Sequence, residues 1–123
     1  MNKKLSPHVT IYKFPITALS SISTRISGVY FTGLFIGGGI TKLFDKDREI
    51  LNIYNNLDGN VKKIFNYSII APTIYHTYGG LRHFVWDKYP SLLNNKTAAR
   101  HSYILFGSTF ITTILTENII HYL

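Results

Sequence analysis

An apolar run near the start of the chain most restricts the folds that are open to it. From Ile26 to Phe44 the sequence contains one charged residue, Lys42, near the far end. As an α-helix this run rises about 28 Å, close to the roughly 30 Å hydrocarbon core of a bilayer. The run is also rich in glycine, which is costly in a soluble helix but allows close packing between membrane helices. It therefore predicts a membrane-spanning helix.

Two further apolar runs follow, over 64–86 and 101–123, and polar segments separate the three. Pro72 lies inside the second run, where neighbouring helices can accommodate the backbone hydrogen bond that it removes. Prolines near the amino terminus favour an extended arm. We therefore predict an all-α membrane protein that forms a single membrane-anchor domain over 1–123. Its expected parts are an extended amino-terminal arm over 1–17 and three transmembrane helices over about 20–44, 63–87 and 100–122.

The composition supports a membrane protein and narrows the chemistry. Charged residues make up 15% of the chain, against about 25% in ordinary soluble domains. There is no cysteine, so disulfides and thiolate metal sites are excluded. The formal net charge of +7 comes from basic residues spread along the flanks of the predicted helices. That distribution argues against a nucleic-acid partner, which would need a clustered basic surface.

The basic residues also predict an orientation, because Lys and Arg are enriched in the loops on the inner side of a membrane. The amino-terminal segment and the second loop form one side, and the first loop forms the other. The cations of the first side are Lys3, Lys4, Lys13, Arg25, Arg82, Lys88, Lys96 and Arg100, and those of the other side are Lys42, Lys46, Arg48, Lys62 and Lys63. The excess on the first side predicts that the amino terminus lies on the inner side of the membrane.

His76 is the strongest candidate for a cofactor ligand. His76 and His83 are seven residues apart, about two helical turns, so they project from nearly the same face, and Gly80 lies between them on that face. A neutral imidazole deep in a membrane span is a natural axial ligand for haem iron. The alternative is a histidine that is hydrogen-bonded to a neighbouring helix. His83 and Arg82 lie at the interfacial end, where they are either ordinary interfacial groups or partners of haem propionates.

Polar residues elsewhere in the runs have simpler interpretations. Ser21 and Arg25 are four residues apart, so a hydroxyl and a guanidinium share a face that suits a carbonyl oxygen. The alternative for these two is a helix start with a positive-inside arginine. Ser108 and Thr112 form a common pattern for helix contact in lipid. Glu117 and His121, near the last turns of the third run, are interpreted as an interfacial helix end and not as a buried proton relay.

Three motifs resemble one known family, the cytochrome b subunit of succinate dehydrogenase, a membrane anchor of respiratory complex II. Residues 6–12 read SPHVTIY and look like the SPHxxIY of that family. Residues 21–28 read SISTRISG and look like its SxxHRxSG, with Thr24 where the family usually has histidine. Residues 76–87 read HTYGGLRHFVWD and match HxxxGxRHxxWD completely. The order and spacing of the motifs extend the resemblance over the whole chain.

The resemblance implies a role for each matched residue. His76 would be the axial ligand of haem b, with the other ligand supplied by a second, smaller membrane anchor. Arg25 and His83 would lie near the haem propionates. Ser21 and Arg25 would face ubiquinone, the substrate, and Ile22 would pack on it. The amino-terminal arm would contact the iron–sulfur subunit, which receives electrons from the flavoprotein subunit.

The resemblance also leaves alternatives. Thr24 offers a hydroxyl where the family histidine would support a propionate, so haem affinity or potential is in question. An anchor subunit of a quinol–fumarate reductase, a structural anchor that lacks haem, and a small channel or transporter subunit are the other functions considered. No cleavable targeting segment is evident. The motifs look closer to mitochondrial members, so we expect the mitochondrial inner membrane, with the bacterial plasma membrane as the alternative.

Overall fold

The computed structural model is helical throughout the part of the chain that it describes, which is Ile11 and residues 13–122. The motif over 6–12 therefore lies outside the described residues, apart from Ile11. The elements are α1 (Ile16–Leu43), α2 (Asp47–Asn55), α3 (Gly59–Lys88), a short 3-10 helix (Pro90–Leu93) and α4 (Asn95–Tyr122). No strand occurs among these residues, so the all-α prediction is confirmed for them.

Local chemistry explains where the helices begin. Pro15 precedes α1 with extended backbone angles, φ −76° and ψ 147°, and cannot donate a backbone hydrogen bond. The carboxylate of Asp58 accepts from the backbone N–H of Asn60 and caps α3. The Asp47 carboxylate, in the first turn of α2, accepts from Lys42 Nζ at 2.7 Å, and this hydrogen bond lowers the pKa of Asp47. The first loop thus contains the short helix α2, which begins at Asp47.

The core of the bundle is polar. Among the described residues, the buried hydrophobic side chains are Tyr75 and Leu105. The buried polar and charged side chains are Ser20, Thr24, Ser27, Arg82, Ser102, Thr109, Thr113 and Glu117. Small hydroxyl residues allow close approach of helices and hydrogen bonds between them, which is how membrane helices pack. The described core is therefore unlike that of a soluble helical bundle, which buries an apolar stripe.

The outer surface is correspondingly apolar. Large hydrophobic side chains are exposed on all three long helices, with exposed fractions of 76% for Val29, 75% for Phe84 and 69% for Phe110. A monomeric soluble protein rarely exposes apolar area on this scale. The distribution, polar inside and apolar outside, fits a bundle that is surrounded by lipid or by partner helices.

Hydropathy alone identifies fewer spans than were predicted. Of the described helices, one segment, Asn95–Ile120 in α4, is both long enough and apolar enough to cross a membrane. Glycines and hydroxyl residues lower the average in α1, and α3 contains Lys62, Lys63 and Arg82. The predicted spans over 20–44 and 63–87 fall within α1 and α3, and their place in a membrane stays a prediction.

Candidate functional site

His76 lies where α1 and α3 approach closely, and Gly28 makes the space for it. A Cβ atom on Gly28 would lie 2.8 Å from His76 Cε1, closer than real Cβ contacts, and 3.3 Å from Nδ1, which is a tight contact. Phe31, one turn further along α1, stacks on the imidazole with ring centroids 6.3 Å apart and an interplanar angle of 19°. The backbone at Gly28 and the ring of Phe31 thus define a slot for the imidazole.

Hydrogen bonds at Nδ1 indicate the tautomer of His76. Nδ1 lies 3.1 Å from the backbone carbonyl oxygen of Thr24 and 3.3 Å from Ser27 Oγ. A carbonyl oxygen can only accept, so the proton is assigned to Nδ1. Within the described chain Nε2 makes no hydrogen bond, and the side chain is exposed. An imidazole that donates from Nδ1 to a carbonyl and leaves Nε2 free has the arrangement of a metal-ligating histidine.

Thr24 faces α3, where it packs on Gly79. A Cβ on Gly79 would lie 2.8 Å from Thr24 Cγ2. The Thr24 hydroxyl donates to the carbonyl of Ser20 at 2.9 Å, within its own helix. The side chain at this position is buried, so it closes the contact between helices and contributes to the His76 site through its backbone carbonyl.

The surface beside His76 is open. Gly80, one turn along α3, has no atom within 4 Å of a built Cβ. His83 is exposed on the same face and contacts the edge of Trp86, with centroids 5.7 Å apart. A flat group can therefore approach this face of α3 without meeting a side chain at Gly80. The free Nε2 and the open face together fit a haem at His76.

Two of the predicted quinone residues lie on the same flank of α1 as the His76 slot. Ser21, Arg25 and Gly28 follow an i, i+4, i+7 spacing and share one stripe of the helix. Arg25 is exposed and makes no hydrogen bond or ion pair within the described chain. Ile22 is 42% exposed. A cavity of about 420 Å³ beside α1 is lined by Ser23, Ile26, Ser27 and Tyr30 from this helix, and not by the three predicted residues.

Arg82 occupies a different position from the interfacial one that was expected. Its side chain is 9% exposed and points inward, where Nη1 donates to Ser20 Oγ at 3.0 Å and to Ser102 Oγ at 3.3 Å. The two serine hydroxyls are 2.9 Å apart, and the guanidinium lies 4.6 Å from the centroid of Trp86. Arg82 therefore joins α1, α3 and α4 and does not lie beside His76.

Glu117 is buried between the helices, with 3% of its surface exposed. Whether it lies at the interfacial end of α4 stays a prediction. Asn66 on α3 donates from Nδ2 to Glu117 Oε1 at 3.3 Å, and Tyr54 Oη donates to Asn66 Oδ1 at 2.9 Å. Glu117 Oε2 has no hydrogen-bond partner within the described chain. The carboxyl group is thus held inside the bundle by a polar chain that begins on α2.

Sequence reasoning did not assign roles to Ser27, Gly28 and Gly79, which hold or make room for the His76 site. Ser27 and Gly28 end the second motif, next to residues that were assigned, so the motif itself carried the signal. Gly79 is adjacent to Gly80 in the sequence. Only the packing of α1 on α3 shows that Thr24 lies against Gly79 and not against Gly80.

Comparison with known proteins agrees with the motifs. Residues 1–116 match the family described as succinate dehydrogenase/fumarate reductase transmembrane subunit. The chain belongs to this family. The resemblance inferred from the three motifs is thus confirmed.

Relatives of this transmembrane subunit include several proteins named succinate dehydrogenase cytochrome b560 subunit. The protein from Porphyra purpurea is 31% identical over 115 residues, which cover 90% of this chain and 91% of the relative. The protein from Marchantia polymorpha is 32% identical over 124 residues, covering 93% and 88% respectively. A mitochondrial protein of that name from Sus scrofa is 32% identical over 90 residues, covering 70% of this chain and 53% of the relative.

Proposed function

We propose that this transmembrane subunit is the cytochrome b anchor of succinate dehydrogenase, in which it binds haem b and forms part of the ubiquinone-reduction site. The observation that carries the proposal is the state of His76. Its Nδ1–H is engaged by the carbonyl of Thr24, and its Nε2 is free on an open helix face. The relatives named above support succinate oxidation as the reaction of the complex.

The haem would be held by His76 through Nε2, and the second anchor subunit would supply the other ligand. Haem, when bound, would supply a one-electron redox centre to the membrane part of the complex. Arg25 and His83 are the basic side chains that would compensate the propionates, because a carboxylate in a low-dielectric site needs a positive partner. Arg25 is exposed on the stripe that also contains Gly28, and His83 shares the face of His76.

The quinone would contact the same flank of α1. Ser21 and Arg25 would donate hydrogen bonds to a quinone carbonyl oxygen, whose negative charge grows on reduction. Ile22, on the next position of the turn, would pack on the quinone ring. The cavity beside this part of α1 is lined by other residues, so we expect partner subunits to complete the quinone pocket.

The chain would work as one part of a membrane complex. We propose three transmembrane helices, α1, α3 and α4, with the amino terminus on the matrix or cytoplasmic side. The polar core and apolar surface support three spans, although among the described helices α4 alone meets the hydropathy criterion. The partners would be the iron–sulfur subunit, the flavoprotein subunit, the second small anchor and the lipid bilayer. The mitochondrial relatives support the mitochondrial inner membrane as the location.

The haem assignment is tested by His76→Ala in the purified complex. We expect the low-spin b-type absorbance of the reduced-minus-oxidised spectrum to disappear, because alanine supplies no ligand. Wild-type flavin and iron–sulfur signals in the same preparation are the control for assembly. An unchanged haem spectrum in the variant would remove His76 as the ligand.

The quinone assignment is tested by Ser21→Ala and Arg25→Ala, each assayed in two ways. Succinate oxidation by a soluble dye should persist, since the dye takes electrons before the membrane site. Quinone reduction should fall by about tenfold, which corresponds to the loss of one hydrogen bond of roughly 1.4 kcal/mol. Wild-type quinone kinetics in both variants would refute the pocket.

A further inference from the structure

Ser27 makes two hydrogen-bond contacts at the His76 site that the proposed function does not use. Its Oγ is 2.7 Å from the carbonyl oxygen of Thr24 and 3.3 Å from His76 Nδ1. The side chain is 6% exposed, so water does not replace these contacts. The neighbouring residue is Gly28, whose backbone forms one wall of the imidazole slot.

The two distances decide the direction of the hydrogen bonds. The shorter contact is to a carbonyl, which can only accept, so the Ser27 hydroxyl donates to Thr24. A lone pair of Ser27 Oγ is then directed to His76, and Nδ1–H has two acceptors, Ser27 Oγ and the Thr24 carbonyl. If the proton were on Nε2, the Nδ1 lone pair would face the carbonyl oxygen at 3.1 Å with no proton between them.

We propose that Ser27 is a positioning residue that fixes the tautomer and the ring plane of His76. The proposal rests on the proposed function, because it assumes that His76 Nε2 binds the haem iron. A single carbonyl acceptor tolerates a range of ring rotations about the Cβ–Cγ bond, since acceptor directions at a carbonyl are broad. A second acceptor on the adjacent turn of α1 restricts the ring to the orientation in which Nδ1–H meets both oxygens.

The same arrangement keeps Nε2 unprotonated and exposed. Groups that accept a hydrogen bond from a ligating histidine orient its ring, and their loss typically reduces metal affinity by about tenfold to a hundredfold. Phe31 holds one face of the ring by stacking, which it does for either tautomer. Ser27 and the carbonyl of Thr24 are therefore the groups that distinguish the two nitrogens.

The experiment compares Ser27→Ala with Ser68→Ala in the intact purified complex. Ser68 is a matched control, because its Oγ donates to the carbonyl of Phe65 at 2.7 Å, also three residues back, away from His76. In Ser27→Ala we expect the ferric low-spin EPR signal of the haem to shift and broaden. Haem loss on prolonged dilution in detergent should be about tenfold faster. Ser68→Ala should match the wild type in both measurements.

Retention of the hydroxyl should restore the site. Ser27→Thr is expected to return the EPR signal towards that of the wild type, which a role in packing alone does not predict. If Ser27→Ala does not assemble, Ser27→Cys, a weaker hydrogen-bonding group of similar size, must give the same EPR shift with smaller amplitude. An EPR signal and a rate of haem loss equal to those of the wild type, in the variant that assembles, would overturn the positioning role.

The His76→Ala complex separates this proposal from the proposed function. Loss of low-spin haem in His76→Ala together with an unchanged Ser27→Ala would remove Ser27 and leave the ligand in place. Retention of low-spin haem in His76→Ala would remove the ligand assignment itself, and the positioning role with it.

Discussion

At the scale of single residues, His76 depends on the absence of a side chain at Gly28. The imidazole edge that includes Nδ1 and Cε1 rests against the backbone of α1 at this residue. Gly33, five residues further along the same helix, has no atom within 4 Å of a built Cβ. A built Cβ would thus meet a side chain at Gly28 and would meet none at Gly33. The two glycines of the same helix are therefore a matched pair for substitution.

We predict that Gly28→Ala displaces His76 and that Gly33→Ala does not. The added methyl at position 28 would lie 2.8 Å from His76 Cε1, and overpacking of this kind costs about 1–3 kcal/mol. Gly33→Ala should be neutral or slightly stabilising, because alanine favours helix. The haem absorbance of the purified complex is the measurement. Equal absorbance in the two variants would show that the close approach at Gly28 is not needed.

The residues of the site were partly predictable from the sequence. His76, Gly80 and His83 share a face because helical periodicity places them there, whatever the packing. The hydrogen bonds of Nδ1 were not predictable, because Thr24 and Ser27 lie 52 and 49 positions away along the chain. The sequence marked Thr24 because its side chain departs from the family motif. Its contact with His76 is made by the backbone carbonyl, so the type of side chain does not predict it.

At the scale of helices, Arg82 holds the bundle together at one end. Its guanidinium bonds serine hydroxyls from α1 and α4, and within the described residues it has no acidic partner. A buried cation is stabilised here by hydroxyl oxygens and by the face of Trp86. The two serine contacts join α3 to α1 and to α4, so their loss should separate the helix ends.

We predict that Arg82→Met lowers the stability of the complex, whereas Arg100→Met does not. Hydrogen bonds to a charged group contribute roughly 1.5–3 kcal/mol, and methionine replaces the aliphatic part of the arginine side chain without the donors. Arg100 on α4 is exposed and serves as the control for loss of one cation. The apparent melting temperature of the purified complex, followed by helical circular dichroism, should fall by several degrees in Arg82→Met alone. Equal melting of the two variants would contradict this role.

At the scale of the whole molecule, the number of membrane spans stays a prediction. Among the described helices, hydropathy identifies α4 alone as a span, over Asn95–Ile120. The polar core and apolar surface favour α1 and α3 as spans as well. The two descriptions differ in where the loops lie. With three spans, the first and second loops face opposite sides of the membrane. With α4 as the only span, both loops precede it and face the same side.

We predict that Arg48→Cys and Lys96→Cys are labelled from opposite sides of the membrane by an impermeant maleimide. The chain has no cysteine of its own, so each variant has one reactive site, and each loses one cation. Both residues are exposed. In sealed mitoplasts we expect labelling of Arg48→Cys from outside and of Lys96→Cys after the membrane is opened. Labelling of both from the same side would leave α4 as the only span.

The sequence by itself predicted the three long helices, each of which begins four or five residues earlier than expected, and the shared face of His76 and His83. These follow from the length and periodicity of apolar runs, which are local properties of the chain. The tertiary structure decided which polar residues are inside. Ser20 and Ser102, 82 positions apart, meet beside Arg82, and Glu117 is buried against Asn66. The apolar run from Ile26 to Phe44 has the length of a span. Its role in the site depends on the contacts of Ser27 and Gly28 with His76. Periodicity could not predict these contacts, because it describes one helix, whereas a hydrogen bond between helices needs a partner on each.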